Sequence, residues 1–113
     1  MRTASQRGRA SRAKGKRSEL EVVRLLRNGG WPYAHRSSRG TAQKGDIQKG
    51  PAAAVIEVRR RETLSVPAAM REVMGRCEPH ELPLLVHRRS NQPWLVTMEL
   101  SELLPLLHLR EQG

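Results

Sequence analysis

One short run constrains the fold of this chain more than any other. Ala53-Ala54-Val55-Ile56-Glu57-Val58 is almost unbroken in its apolar character, and it lies between the turn pair Gly50-Pro51 and the basic triplet Arg59-Arg60-Arg61. A continuous apolar run of this length bounded by turn signals reads as a buried strand, so the segment Ala52 to Arg59 is expected at the centre of a sheet. A chain of 113 residues has room for one domain and one modest core around such a strand. That core must be built from Leu, Val, Ile, Ala and Met, because Phe is absent and the only aromatic residues are Trp31, Trp94 and Tyr33.

Segments on either side supply the layers. Ser18 to Asn28 predicts a helix, with Ser18 and Glu21 at capping-box spacing, an apolar stripe through Leu20, Val22, Val23, Leu25 and Leu26, and Gly29-Gly30 as the stop. A strand from Trp31 to about Arg36 follows, and then a polar loop from Ser37 to Gly45. Asp46 to Lys49 forms a strand that a turn at Gly50-Pro51 returns beside the central one. Pro67 to Cys77 predicts a helix with Met70, Val73 and Met74 facing inward, and Pro67 suits its first turn. Leu84 to His87 and Trp94 to Thr97 form a further strand pair, and Leu100 to Leu109 a closing helix that Pro105 kinks or confines to its ends. The order helix, three strands, helix, two strands, helix predicts an α/β fold with a central mixed sheet of about five strands flanked by helices.

The charge is lopsided. Lys and Arg number 21 against 11 Asp and Glu, for a formal net charge of +10, an excess that points to an anionic partner and first of all to nucleic acid. Residues 1–17 hold seven Lys or Arg, no acid and almost nothing large and apolar, so they are expected as a flexible basic arm that grips phosphates, preceding a folded domain over residues 18–113. Cys77 is the only cysteine, which leaves no disulfide frame or thiolate zinc site and suits a reduced, cytoplasmic setting. No apolar run approaches a membrane span, so no membrane partner is expected.

Three acids and a base occupy unusual places. Glu57 interrupts the most apolar strand, where a carboxylate is costly unless it is paired or bound to a cation. Arg59 falls on the same face by strand alternation. Asp46 opens the neighbouring strand of the expected hairpin, so two carboxylates converge. Glu19 has Val22, Val23 and Leu26 at three, four and seven residues on, which aims it at the sheet. Each residue taken singly has a plain structural account: an ion pair for Glu57 and Arg59, a turn aspartate for Asp46, a first-turn acid for Glu19. Taken together they suit a magnesium ion held by hard oxygens, with Arg59 against the growing negative charge of a phosphoryl group.

These residues resemble the PD-(D/E)XK nuclease superfamily, and within it the small archaeal-type Holliday-junction resolvases, over Lys14 to about Arg60. Gly15 with Glu19 four residues on resembles the family's first-helix acid, Gly45-Asp46-Ile47 its Asp-hydrophobic strand, and Ile56-Glu57-Val58-Arg59 its Ile-Glu-Val-Lys signature. The resemblance implies a magnesium- or manganese-dependent endonuclease that acts as a homodimer on four-way DNA junctions. In that reading Glu19, Asp46 and Glu57 are metal ligands, with the Val58 carbonyl a further one. It also implies strand contacts from the loop of Arg36, Ser37, Ser38, Arg39, Gly40 and Thr41. Backbone contacts are expected from Arg9, Arg12, Lys14, Lys16, Arg17, Lys44, Arg60 and Arg61, with Lys44 or Lys49 able to supply an ammonium to the site. The sequence departs from the family at Arg59, which stands where the family has lysine and cannot readily lose a proton. His35, His80, His87 and His108 lack metal-ligand spacing and are expected to be ordinary histidines, and Trp94 is expected in the core.

Overall fold

A computed structural model describes residues 3–38 and 42–113. The elements run α1 (Ala4–Asn28), β1 (His35–Arg36), β2 (Ile47–Gln48), β3 (Ala54–Arg60), α2 (Val66–Gly75), β4 (Leu82–Arg88), β5 (Leu95–Thr97) and α3 (Leu100–Gln112). The five strands form one sheet in chain order, β1-β2-β3-β4-β5. Its pairs are antiparallel except β3–β4, which run parallel in register from Ala54 opposite Leu82 to Arg60 opposite Arg88. A parallel pair needs a crossover, and α2 provides it. The expected α/β architecture, a mixed five-strand sheet with helices against it, is the one observed.

The central strand serves two cores because its side chains alternate. Ile56 and Val58 join Val22 and Val23 of α1, with Ala34 and Ile47, on one face. Val55 joins Met70 and Val73 of α2, with Leu85 of β4, on the other. Leu85 and Val73 are fully buried, as befits the centre of the second cluster. Met74, expected to face inward with them, is instead exposed, since it lies one position past the buried Val73 and so turns away from the sheet.

Helix α1 begins well before its expected start. Thr3 is its N-cap, in a capping box with Gln6, and the helix runs unbroken through the segment expected as an arm without structure. Ser18, read as the cap, is buried in mid-helix and donates its hydroxyl to the Lys14 carbonyl at 2.9 Å. The physical reason is local: alanines, arginines and lysines are good helix formers, and Thr3 supplies a better-placed cap upstream. The strand expected from Trp31 shrinks to His35–Arg36, because a turn closes from the Ala34 N–H to the Trp31 carbonyl at 3.1 Å.

Helix α3 runs through Pro105 to Gln112 and buries none of its residues. Leu100, Leu104, Leu106, Leu107 and Leu109 are exposed, as are Leu95 and Val96 on the edge strand β5 beside it. No described helix is long and apolar enough to cross a membrane.

Candidate active site

The site is built where β2 meets the outer half of β3. Gly45 makes the meeting possible: its φ is +74°, and a Cβ there would come within 2.7 Å of the Ile56 carbonyl oxygen. Only glycine tolerates both conditions. With Gly45 tucked against β3, the Asp46 N–H donates to the Ile56 carbonyl at 2.7 Å. The Asp46 carboxylate then turns along the strand, and its Oδ2 accepts the Val58 N–H at 2.8 Å. The residue is thus fixed at both ends against the strand that carries Glu57.

Glu57 is only 3% exposed. It points to the α2 face, as Val55 does, and two arginines meet it there. Arg59 places Nη2 at 3.2 Å from Glu57 Oε2, while its Nη1 lies 3.3 Å from Asp46 Oδ2 and donates to the Val58 carbonyl at 2.8 Å. Arg76, the C-cap of α2, holds the other oxygen of Glu57. Burial drives the Glu57 carboxyl above the usual carboxylate range, and the charge of Asp46 adds to that push. Arg59 and Arg76 pull it back in part. Two acids pressed together in poor solvent and clamped by guanidinium groups are the charged centre of the molecule.

Glu19 does not join them. Helix α1 covers the Ile56–Val58 face of the sheet, whereas Glu57 and Arg59 emerge on the α2 face. Glu19 is therefore paired across the α1 side, where Arg36 of β1 donates Nε to its Oε1 at 3.0 Å. It borders a cleft of about 370 Å³ that opens past the end of β3 among Lys14, Gly15, Ser18, Val58, Arg59, Arg60 and Arg61, which Arg59 lines but Asp46 and Glu57 do not. The helix face was thus read in the right sense, but the helix lies on the other side of the sheet from Glu57. Among the described residues no three His, Cys, Asp or Glu side chains are placed to share one cation. The expected three-acid arrangement is accordingly reduced to the pair Asp46 and Glu57. That pair fits magnesium, which commonly takes one or two carboxylates and keeps several waters, provided the arginines yield the oxygens they hold.

The other expected contact residues divide. Arg60 and Arg61 line the cleft beside Lys14. Arg12 and Lys16 flank a second hollow with Arg36, Ser37 and Ser38. Arg9 and Arg17 lie exposed on α1. Lys44 is drawn away: its ammonium is held by Glu81 at 2.6 Å, which raises its proton affinity. Lys49 is committed to the chain reversal, with φ 60°, and makes no ion pair with the two acids. Arg39, Gly40 and Thr41 fall outside the described residues. Among the histidines, His87 is half-buried against Thr97, its Nε2 2.9 Å from the hydroxyl, and burial lowers its proton affinity. Trp94 packs on the α1-side core with the Arg88 guanidinium 5.0 Å from its ring centre.

Arg76 is the member of the site that the sequence did not reveal. It stands nineteen residues beyond Glu57, past a turn and a helix, and only the crossover topology brings it back to the strand. Glu21, which the sequence suggested only as the capping-box partner of Ser18, is engaged as well: Arg88 reaches it at 2.9 Å and Arg60 at 4.0 Å. No family model, no curated protein and no solved structure matches this chain.

Proposed function

We propose that this protein is a metal-dependent endonuclease that hydrolyses phosphodiester bonds in branched DNA. The observation that carries the reading is Glu57. A carboxylate buried in the central strand, beside Asp46 and linked through Arg59 to a cleft rimmed by Lys14, Arg60 and Arg61, is an expensive arrangement that a structural ion pair alone does not require. A magnesium or manganese ion held by Asp46 and Glu57, with the Val58 carbonyl beside them, would supply Lewis acidity and an activated water.

The chain's own residues do the rest. Lys14, Arg60 and Arg61 would draw the backbone into the cleft, and Arg59, once released from the acids, would hold the scissile phosphate in two-pronged fashion. Glu19 would act as a support at the cleft wall, positioned through Arg36. The choice of branched DNA rests on the resemblance over Lys14 to Arg60, and four-way junctions are its preferred form.

The test is cleavage of a labelled four-way junction and a matched linear duplex with magnesium, with manganese and with chelator. Paired nicks in the junction, dependent on metal and lost in both Asp46→Asn and Glu57→Gln, support the reading. Cleavage that survives either substitution overturns the site. One observation favours a second reading: Arg59 and Arg76 already occupy the Glu57 oxygens, as they would in a non-catalytic DNA-binding module on a nuclease fold. Tight, salt-sensitive junction binding without cuts in either metal would establish that alternative.

We propose as well that the protein works as a homodimer through β5 and α3. An open edge strand carrying Leu95 and Val96, continued by a leucine-rich helix with no buried residue, suits a second copy of the same surface. The remaining surface, strongly basic, would repel such a copy.

A further inference from the structure

Helix α1 extends past the end of the sheet, and its free half has an uneven distribution of charge. At about 100° per residue, Arg9, Arg12 and Lys16 fall in one row, and Arg7, Lys14 and Arg17 in another, roughly 200° apart across the small-residue face of the helix. Between the rows lie Ala4, Gly8, Ser11 and Gly15, none of which carries more than one side-chain carbon. A Cβ added at Gly15 meets nothing within 4 Å and one at Gly8 meets only the tip of the Arg12 side chain at 3.4 Å, while at its Ser11–Gly15 end this face borders the cleft with Arg59, Arg60 and Arg61. Among the described residues, Arg9, Arg12, Lys14, Lys16 and Arg17 enter no salt bridge with any acid.

Such a helix is poorly suited to stand alone. Its like charges repel at three- and four-residue spacing, its first turn has no acid to meet the dipole, and two glycines cost about 1 kcal/mol each. What would complete it is a polyanion that offers negative charge on both flanks and clearance between them. Duplex DNA does so. Its major groove, roughly 12 Å wide, accepts an α-helix, and the two phosphate backbones then run along the helix sides. The free half, about 21 Å long at 1.5 Å per residue, spans roughly six base pairs at 3.4 Å each.

Resting on the reading of the protein as acting on DNA, we propose that residues 4–17 form a groove-seated helix whose two basic rows bind the phosphates of opposite strands. The bare Gly8–Gly15 face admits the groove floor, and Lys14 and Gly15 deliver that duplex arm to the cleft they line. The seating is one of shape and charge, since the bare face holds little that could read base edges.

The experiment is equilibrium binding of the full chain to a linear B-form duplex over a salt series, in chelator. The variants are Arg9→Ala/Arg12→Ala/Lys16→Ala and Arg7→Ala/Lys14→Ala/Arg17→Ala. Alanine favours helix, so the arm keeps its form. Each triple variant is expected to weaken binding and to lower the slope of log affinity against log salt by about 2 to 3. Gly15→Leu is expected to weaken binding several-fold although thermal unfolding is no lower than the parent's, because leucine is the better helix former. A double-stranded RNA of the same sequence, whose major groove is too deep and narrow, is expected to bind more weakly. If one row alone carries the slope, or RNA and DNA duplexes bind equally, the seating is wrong. A chain that binds through both rows but never cuts in metal would end the nuclease reading and leave the seating intact. Junction cleavage with row variants that bind as the parent would do the reverse.

Discussion

In the proposed reaction, Arg59 is the residue on which the chemistry turns. Its guanidinium bridges Asp46 and Glu57 and also bonds the Val58 carbonyl, so one side chain satisfies three acceptors. A lysine has a single ammonium and cannot fork between two carboxylates. Arg59→Lys is therefore expected to retain junction cleavage and to reach half-maximal rate at a lower metal concentration. Arg59→Met, with no charge to offer the phosphate, is expected to lose about 10² to 10³ in turnover. A metal titration of both variants checks the pair, and an Arg59→Lys enzyme that needs more metal than the parent would refute the account.

Glu57 gives a second expectation at this scale. Its proton affinity is raised in the fold, first by burial and then by Asp46, so the native state binds a proton more tightly than the unfolded chain does. Stability contributed through this group is thus fully present below the ordinary glutamate range and is lost as pH rises through the raised value. Glu57→Gln should flatten that part of the stability profile and leave the protein at neutral pH no less stable than the parent. Denaturant unfolding from pH 4 to 8 reads it directly.

At the same scale, the pairing of Glu57 with Arg59 was legible in the sequence, because alternation along a strand is a rigid rule. The nearness of Asp46 followed from the hairpin. Arg76 was not legible, since nothing local ties a helix C-cap to a strand nineteen residues earlier. Glu19 was legible as an inward-facing acid, but not which side of the sheet its helix would take.

Among the elements, the β2–β3 approach is the most exacting. Gly45 is held at positive φ with the β3 backbone where its Cβ would be, so Gly45→Ala must either strain itself or push β2 away. A stability loss of about 1 to 3 kcal/mol is expected, with cleavage falling further because Asp46 moves with β2. Circular dichroism melts and junction cleavage on one preparation separate the two effects. The parallel β3–β4 pair depends on α2, and Leu85→Ala, which empties the middle of that face, is expected to cost about 2 to 5 kcal/mol. The strongly patterned elements, β3, α2 and β4, were readable within a few residues. Helix α1 was misread at its start because helix propensity without an apolar stripe leaves no periodic trace. The bounds of β1 were lost to a turn around Pro32 that the sequence signalled only weakly.

For the whole molecule, the surface divides into a basic region and an apolar one. The apolar region, β5 with α3, is expected to support a dimer. Leu104→Glu combined with Leu107→Glu should shift the protein to monomer in sedimentation equilibrium without disturbing the core, because neither side chain is buried. A parent chain that sediments as a monomer at micromolar concentration would rule out the dimer. The formal charge pointed to an anionic partner but was silent on how the basic residues are arranged, because net charge has a sign but no geometry. The rows on α1 exist only once the segment is known to be helical.

The buried acid also shapes how this protein would respond to selection. A carboxylate that the fold must hold against its own solvation is a standing load on stability, one that the proposed reaction would account for. A library sorted for heat tolerance alone would be expected to enrich uncharged residues at 57, and its hardiest members would be those that no longer cut. If the proposed cleavage is to be kept, breeding a sturdier form of this chain would therefore call for selecting on both traits at once, with the gains drawn from the two cores rather than from the strand end between them.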